Sequence, residues 1–261
     1  MIVKYYKNIL DSKIQQNFGD SVNPLIWQLL TGKEPISVNL DYKCKSNREI
    51  VFMMSGSILE HACENTIVWG SGFISRKARL KAKPRQICAV RGPLTRSIVT
   101  RQGIDCPKIY GDPVLLMSAL YAPVVEIKYD LGIIPHYIDK RVPLPKAFVE
   151  ENGIKVIDVQ QDVRSFIQEV LACRVIASSS LHGLILSDSY GIPSAWIKLS
   201  TKIAGDDFKF IDYFMSVFRT DQTPLWVDVN STIEDIYKKL AKWNRILIDK
   251  TELLGTFPYY A

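Results

Sequence analysis

The sequence lacks any run of about 18 apolar residues, so nothing in it reads as a membrane-spanning helix. Cysteine is sparse, five in 261 residues, and none sits in a C-x-x-C pair. Histidine is rarer still at three, and no Cys/His cluster has zinc-ligand spacing. These counts predict no metal site and free thiols in a reducing compartment, with Cys63, Cys88 and Cys173 in apolar contexts. The opening stretch MIVKYYKNILDSK is charged early and has no long apolar segment before small residues. It predicts no signal peptide and a cytoplasmic protein. G-x-x-x-x-G-K-[ST], G-x-G-x-x-G and G-x-S-x-G are all missing, which disfavours a P-loop, a dinucleotide fingerprint and an α/β-hydrolase elbow.

Charge of one sign is also in short supply. Lys and Arg number 33 against 27 Asp and Glu, a formal net charge of +6. K-A-R-L-K-A-K-P-R at 77–85 is the one dense basic run. It reads first as a solvated loop or helix face, and second as a contact for an anionic partner such as a lipid headgroup. Interleaved aromatics and reading motifs are missing, so no nucleic-acid partner is expected. With 47% hydrophobic and 23% charged residues, the composition is that of a globular chain.

What is present is alternation. Short apolar runs at 2–6, 50–54, 66–69, 86–90 and 108–110 read as strands, with helices at about 21–30 and 93–100. Asp20 or Ser21 would cap the first helix and Gly32 would end it. The pattern breaks around 118–129, where a Pro interrupts any period. It then restarts with strands at 130–134, 154–158, 174–177, 194–198 and 225–229. Helices are expected at 161–173, 181–190, about 206–218 and 231–251. The reading is α/β, in two domains, 1–125 and 126–261. Most strands end in Gly, Ser or Asp, and in an open parallel sheet those carboxyl ends face the ligand crevice.

Three side chains stand out there. His182 follows a strand and the Ser178–Ser180 triplet at a helix start, a ready anion site beside a titratable ring. His136, in I-I-P-H-Y, ends another strand; a structural role held by a carbonyl is the even alternative. Arg91 directly follows a strand, where its planar fork suits a carboxylate or phosphate; an ion pair with an acid such as Asp112 is nearly as good a reading. Lys209, near a helix start, reads as a solvated lysine or a phosphate contact. His61 reads as surface or packing, and Arg96 as structural. Gly70-Ser71-Gly72 is a loop a ligand could approach closely, though any tight turn would use it.

Seven motifs in colinear order carry a resemblance. They are N-F-G-D (17–20), W-G-S-G-F (69–73), A-V-R-G-P-L-T (89–95), G-D-P-V-L-L (111–116), G-I-I-P-H-Y (132–137), S-S-S-L-H-G-L-I-L-S-D-S-Y-G-I-P (178–193) and K-F-I-D-Y (209–213). Together they resemble the polysaccharide pyruvyl transferase family, in its bacterial exopolysaccharide and capsule branch. The resemblance implies two Rossmann-like domains in a GT-B-like arrangement around a cleft. It implies transfer of pyruvate, as a ketal, from phosphoenolpyruvate to two hydroxyls of a sugar, without metal or cofactor.

The family's Leu-His pair falls on Leu181 and His182. Several members carry Arg just before it, where this chain has Ser180, so Arg91 or Lys209 is expected to supply that cation. On this reading His182 and His136 are catalytic. Arg91, Ser179, Ser180, Leu181 and Lys209 bind the donor, and Asp20, Gly70, Ser71 and Gly72 bind the acceptor. A lipid-linked galactose-type acceptor is implied, with the 77–85 run touching the inner leaflet. Two rivals stay open: a nucleotide-sugar glycosyltransferase, with Asp206 or Asp207 as its ribose clamp, and a non-catalytic glycan- or anion-binding module.

Overall fold

The computed structural model describes residues 1–5, 9–10, 13–14, 17–43, 46, 48–150 and 153–259. Cys44, and Tyr6 at the end of the first expected strand, lie outside these residues.

Ten short strands form two parallel sheets. The first contains β1 (Ile2–Lys4), β2 (Ile36–Val38), β3 (Val51–Met53), β4 (Thr66–Trp69) and β5 (Gln86–Ala89), ordered β2-β1-β3-β4-β5. The second contains β6 (Tyr129–Ile134), β7 (Ile154–Val156), β8 (Cys173–Ser178), β9 (Ser194–Lys198) and β10 (Leu225–Trp226), ordered β10-β9-β8-β6-β7. Counted from its own first strand, each half has the order 2-1-3-4-5. Every pairing within the two sheets is parallel. The central strands β3 and β4 are wholly buried, which is why V-F-M and T-I-V-W show no polar alternation.

The two halves share one core. A continuous apolar cluster runs from β3 and β4 through the first helix to the inner face of the second sheet. Phe18 of that helix meets Phe166 with ring centroids 4.5 Å apart. A smaller cluster, including Leu131, Ile133, Ile197 and Ile236, covers the outer face of the second sheet.

Several elements differ from the sequence reading. The first helix, α1 (Phe18–Thr31), starts earlier, because Asn17 rather than Asp20 or Ser21 caps it, accepting from the Gly19 amide at 3.0 Å. Asp20 therefore lies inside the first turn. Pro24 has no N–H to give back to the turn before it. The Asn23 amide fills in, donating to the Gly19 and Asp20 carbonyls at 3.2 and 3.1 Å. The strand expected at 108–110 shrinks to one bridge between Tyr110 and Val90, as the chain turns into Gly111-Asp112-Pro113. The strand β2 went unread, and the strand expected at 225–229 is two residues long.

The helix expected at 231–251 is two helices, Ile233–Leu240 and Lys250–Gly255. Between them the chain is strapped to the 217–220 segment. Leu247 donates its amide to the Val217 carbonyl at 3.0 Å, and Asn244 bonds Phe218 and Thr220. The last helix thereby returns to the first sheet, where Trp69 donates to the Leu253 carbonyl at 3.1 Å.

The basic run at 77–85 is a loop with Lys77, Arg79, Lys81, Lys83 and Arg85 exposed, in line with its first reading. Cys63, Cys88, Cys106 and Cys173 are free thiols. Among the described residues, no helix is long and apolar enough to cross a membrane.

Candidate active site

In a sheet ordered 2-1-3-4-5, the crevice opens where the strand order reverses, outside the carboxyl ends of the first and third strands. In the first half that point is occupied by Met54-Ser55-Gly56-Ser57 after β3. In the second it is occupied by Pro135-His136 after β6 and Ser179 to His182 after β8. The two points meet. A pocket of about 520 Å³ lies there, lined from the first half by Asn17, Asp20, Gly56, Ser57 and His61, and from the second by His136, Ser180, Leu181, His182 and Lys209.

With α2 (Pro93–Arg101) and α3 (Val163–Leu171) following α1 along the chain, three of the helices start at this pocket. Asn17 and Asp20 belong to the start of α1, Ser180 to His182 to the start of α4 (Leu181–Tyr190), and Lys209 to the first turn of α5 (Phe208–Ser216). Helix N-termini carry positive potential and unpaired amides. Serine is a favoured N-cap, yet the Ser180 side chain makes no capping bond. Ser178 instead closes the turn, accepting from the Ser180 amide at 3.0 Å and donating to its carbonyl at 2.8 Å. Gly183 permits this: a Cβ there would lie 2.4 Å from the Ser178 hydroxyl oxygen.

His182 is held from the first half. Its Nε2 lies 3.0 Å from Ser55 Oγ and 3.5 Å from Asp112 Oδ2, and its side chain is 13% exposed. Ser55 Oγ in turn donates to Asp112 Oδ2 at 3.1 Å. The ring packs on Gly19, where a Cβ would fall 1.9 Å from Nδ1. Glycine is therefore required at 19 for reasons of space, next to Asp20.

Asp20, Lys209 and His136 are shifted. Burial pushes the Asp20 carboxyl up to about 7, against the opposing pull of His182, the Asn17 amide and Lys209. Burial, with help from the Arg91 guanidinium, brings the Lys209 ammonium down to about 8. Among the described residues no carboxylate lies within 4 Å of Lys209, so its charge is available to a ligand. Burial and the nearby Lys209 and His182 lower His136 to about 3, leaving it neutral at physiological pH. Its Nδ1 accepts from the Ile138 amide at 3.3 Å, which puts the proton on Nε2.

The structure separates the expected residues into two sets. His182, His136, Ser180, Leu181, Lys209 and Asp20 line the pocket. Arg91, Ser179, Gly70, Ser71 and Gly72 do not, and each has a structural duty instead. Arg91 is 0% exposed and each of its three guanidinium nitrogens donates: Nε to Asp212 at 3.0 Å, Nη1 to Ser57 Oγ at 2.6 Å and Nη2 to the Phe73 carbonyl at 2.6 Å. The expected donor contact gives way to the ion-pair reading, with Asp212 rather than Asp112 as the acid.

Ser179 is buried between the His136 amide and Asp139, and so sets the His136 loop. Ser71 donates to the Met54 carbonyl at 2.6 Å. Gly70 and Gly72 make room for Pro113 and for the Arg91 guanidinium, so this loop packs behind the pocket wall rather than meeting an acceptor. Neither Asp206 nor Asp207 lines the pocket, and Asp207 is paired with Lys198 at 2.6 Å.

Sequence reasoning missed Asn17, Ser55, Asp112 and Asp139, and it placed His61 outside the site. The signal for Ser55 and Asp112 was their position in M-S-G-S and G-D-P just past strand ends. What ties them to His182 is a contact across 127 residues of chain.

Three imidazoles, a carboxyl raised to about 7, an ammonium with no carboxylate within 4 Å among the described residues, and three helix starts suit group transfer from an anionic donor. Comparison with known proteins agrees. The family model for polysaccharide pyruvyl transferase matches residues 17–201, and the chain belongs to that family. It is 32% identical over 209 residues to the uncharacterized protein L143 of Acanthamoeba polyphaga mimivirus, covering 77% of this chain and 71% of that one. It is 26% identical over 236 residues to the succinoglycan biosynthesis protein ExoV of Rhizobium meliloti strain 1021, covering 87% of this chain and 69% of that one. The likeness to ExoV supports the exopolysaccharide branch.

Proposed function

We propose that this chain is a ketal-pyruvyltransferase. It moves pyruvate from phosphoenolpyruvate onto two hydroxyls of a galactose-type sugar in exopolysaccharide or capsule synthesis and releases phosphate. The observation that carries the reading is the meeting of His182, Lys209 and Asp20 in one pocket of a chain from this family. The two halves are read as GT-B-like lobes, 1–125 on the acceptor side and 126–261 on the donor side. Support comes from the lining: Lys209, His136 and His182 belong to the second half, while Asn39, Asp41, Glu60 and His61 of the first half suit sugar hydroxyls.

The chemistry follows from the residues. Lys209 and the start of α4 hold the donor's phosphate and carboxylate, Lys209 taking the place of the Arg that Ser180 replaces. His136, neutral and protonated at Nε2, donates a hydrogen bond and orients the acceptor. His182 protonates the methylene carbon of the donor, which becomes the methyl group and leaves positive character on the adjacent carbon. A sugar hydroxyl adds there, and Asp20 takes its proton; a carboxyl near 7 is matched to that task at neutral pH. Breaking the carbon–oxygen bond then expels phosphate, which leaves with the proton held by Asp20. The second hydroxyl closes the ketal and returns its proton to His182. Two hydroxyl protons enter; one ends on the methyl carbon and one on phosphate. No cofactor takes part in this scheme. With a lipid-linked acceptor, the exposed cations of the 77–85 loop would rest on the anionic inner leaflet of the cytoplasmic membrane.

The test is incubation with phosphoenolpyruvate and a panel of galactosides and mannosides, read by mass spectrometry for the ketal and by phosphate release. Ketal formation with stoichiometric phosphate is the expected result. Binding of phosphoenolpyruvate without phosphate release would overturn transfer and favour a binding module. A thermal shift with UDP but not with phosphoenolpyruvate would favour a nucleotide-sugar enzyme.

A further inference from the structure

Ser55 has one hydroxyl hydrogen and two neighbours placed to take it, Asp112 Oδ2 at 3.1 Å and His182 Nε2 at 3.0 Å. A carboxylate can only accept. The other oxygen of Asp112, Oδ1, already accepts from the Val114 amide at 3.0 Å. The hydroxyl hydrogen therefore belongs to Asp112, and Ser55 Oγ meets His182 with a lone pair. Nε2 must then carry a hydrogen and donate it.

We infer that Ser55 and Asp112 are positioning residues that hold His182 in its Nε2–H form, leaving Nδ1 as the nitrogen that exchanges a proton with the reactants. The surroundings agree. Ser55 and Asp112 are buried, so water does not compete for their bonds. The face of the ring over Nδ1 packs on Gly19, the residue before Asp20, where a side chain would displace the imidazole. Ser55 is itself fixed: its amide donates to Asn23 Oδ1 at 2.9 Å, and Asn23 Nδ2 reaches its carbonyl at 3.3 Å. Both positioning residues come from the first half and the imidazole from the second. The ring is set only while the halves are together.

For its kinetic consequence the inference rests on the proposed pyruvyl transfer; the ring's protonation pattern is read without any substrate. The experiment is nitrogen-15 histidine NMR on the full chain near pH 8, where three histidines are assigned with His61→Gln and His136→Gln. The expected spectrum shows His182 protonated at Nε2 and bare at Nδ1. Ser55→Ala keeps the backbone bonds to Asn23 and should give a mixture of the two ring forms. Its kcat should fall about tenfold to a hundredfold while the donor KM stays within about threefold. Asp112→Asn should reverse the chain of bonds: its amide donates to Ser55, the hydroxyl turns to Nε2, and the hydrogen moves to Nδ1. Turnover should then drop by about 10²–10⁴-fold, as expected of a wrong ring form.

Wild-type His182 protonated at Nδ1, or a Ser55→Ala protein with unchanged spectrum and kcat, would overturn the inference. The expected spectra in a protein that makes no ketal would uphold it and sink the proposed reaction instead.

Discussion

Among the described residues, two pairs of a basic and an acidic side chain cross between the halves of this molecule, and they do opposite things. Arg91 reaches Asp212 at 3.0 Å with both side chains fully buried. Asp212 also accepts from the Thr95 amide and hydroxyl at 2.9 and 2.6 Å. Arg91 does not line the pocket, and the pair is a staple between the first half and α5. His182 lies 3.5 Å from Asp112, with the acid buried and the ring 13% exposed. Its Nε2 is engaged by the first half, and the ring lines the pocket. A charge whose partners are complete holds the fold together, and one with a partner behind it and a free face in a cavity can act on a ligand.

The sharpest break of this comparison is His182→Ala. Turnover should fall by about 10²–10⁴-fold while circular dichroism stays that of the wild type. Retained phosphate release would remove His182 from the reaction. Arg91→Ala should behave the other way, costing about 3–5 kcal/mol in a urea melt, because it strands a buried carboxylate. Loss of donor binding without loss of stability would make Arg91 a ligand contact after all.

Gly19→Ala sharpens the His182 side. Its Cβ has no room beside Nδ1, so the ring must swing away. About 1–3 kcal/mol of destabilisation and a loss of kcat are expected, measured on the folded protein. Asp20 tests the cost of the site. Its pKa is raised from 3.8 to about 7, so the folded state holds its proton more tightly than the unfolded chain. That contribution is fully present below the unfolded value and is lost as pH rises through 7. Asp20→Asn should therefore match the wild type near pH 4 and exceed it by on the order of 2–4 kcal/mol at pH 8. Equal urea midpoints at both pH values would contradict the raised carboxyl. At the small end is the exposed pair of Arg174 and Asp130, 3.2 Å apart. Arg174→Ala should change stability by less than about 1 kcal/mol.

Much of the site could be read before the fold was known. His182 stands out as a histidine at a helix start and Asp20 through its motif, while Lys209 reads from the residues alone as a solvated lysine first and a phosphate contact second. Arg91 carried the same kind of signal and turned out structural. The sequence admits an ion pair there with a neighbouring acid such as Asp112. The true partner is 121 residues away in Asp212. Asp20 was assigned to acceptor contact from its motif, while its raised pKa comes from burial beneath the second half, which no local pattern reports. Ser55 had no signal beyond a small polar residue at a strand end.

Local sequence by itself determined the alternation of apolar strands with helices, the stops at Gly32 and Gly191, both left-handed in the structure, and the restart that makes two parallel halves. These depend on backbone conformation and short-range periodicity, which neighbours in the chain control. Tertiary structure alone decided which of the charged residues became machinery and which became scaffold. That outcome rests on desolvation and on the completeness of each group's partners, and much of both is supplied by atoms distant in the chain, as for Arg91 with Asp212 and Ser55 with His182.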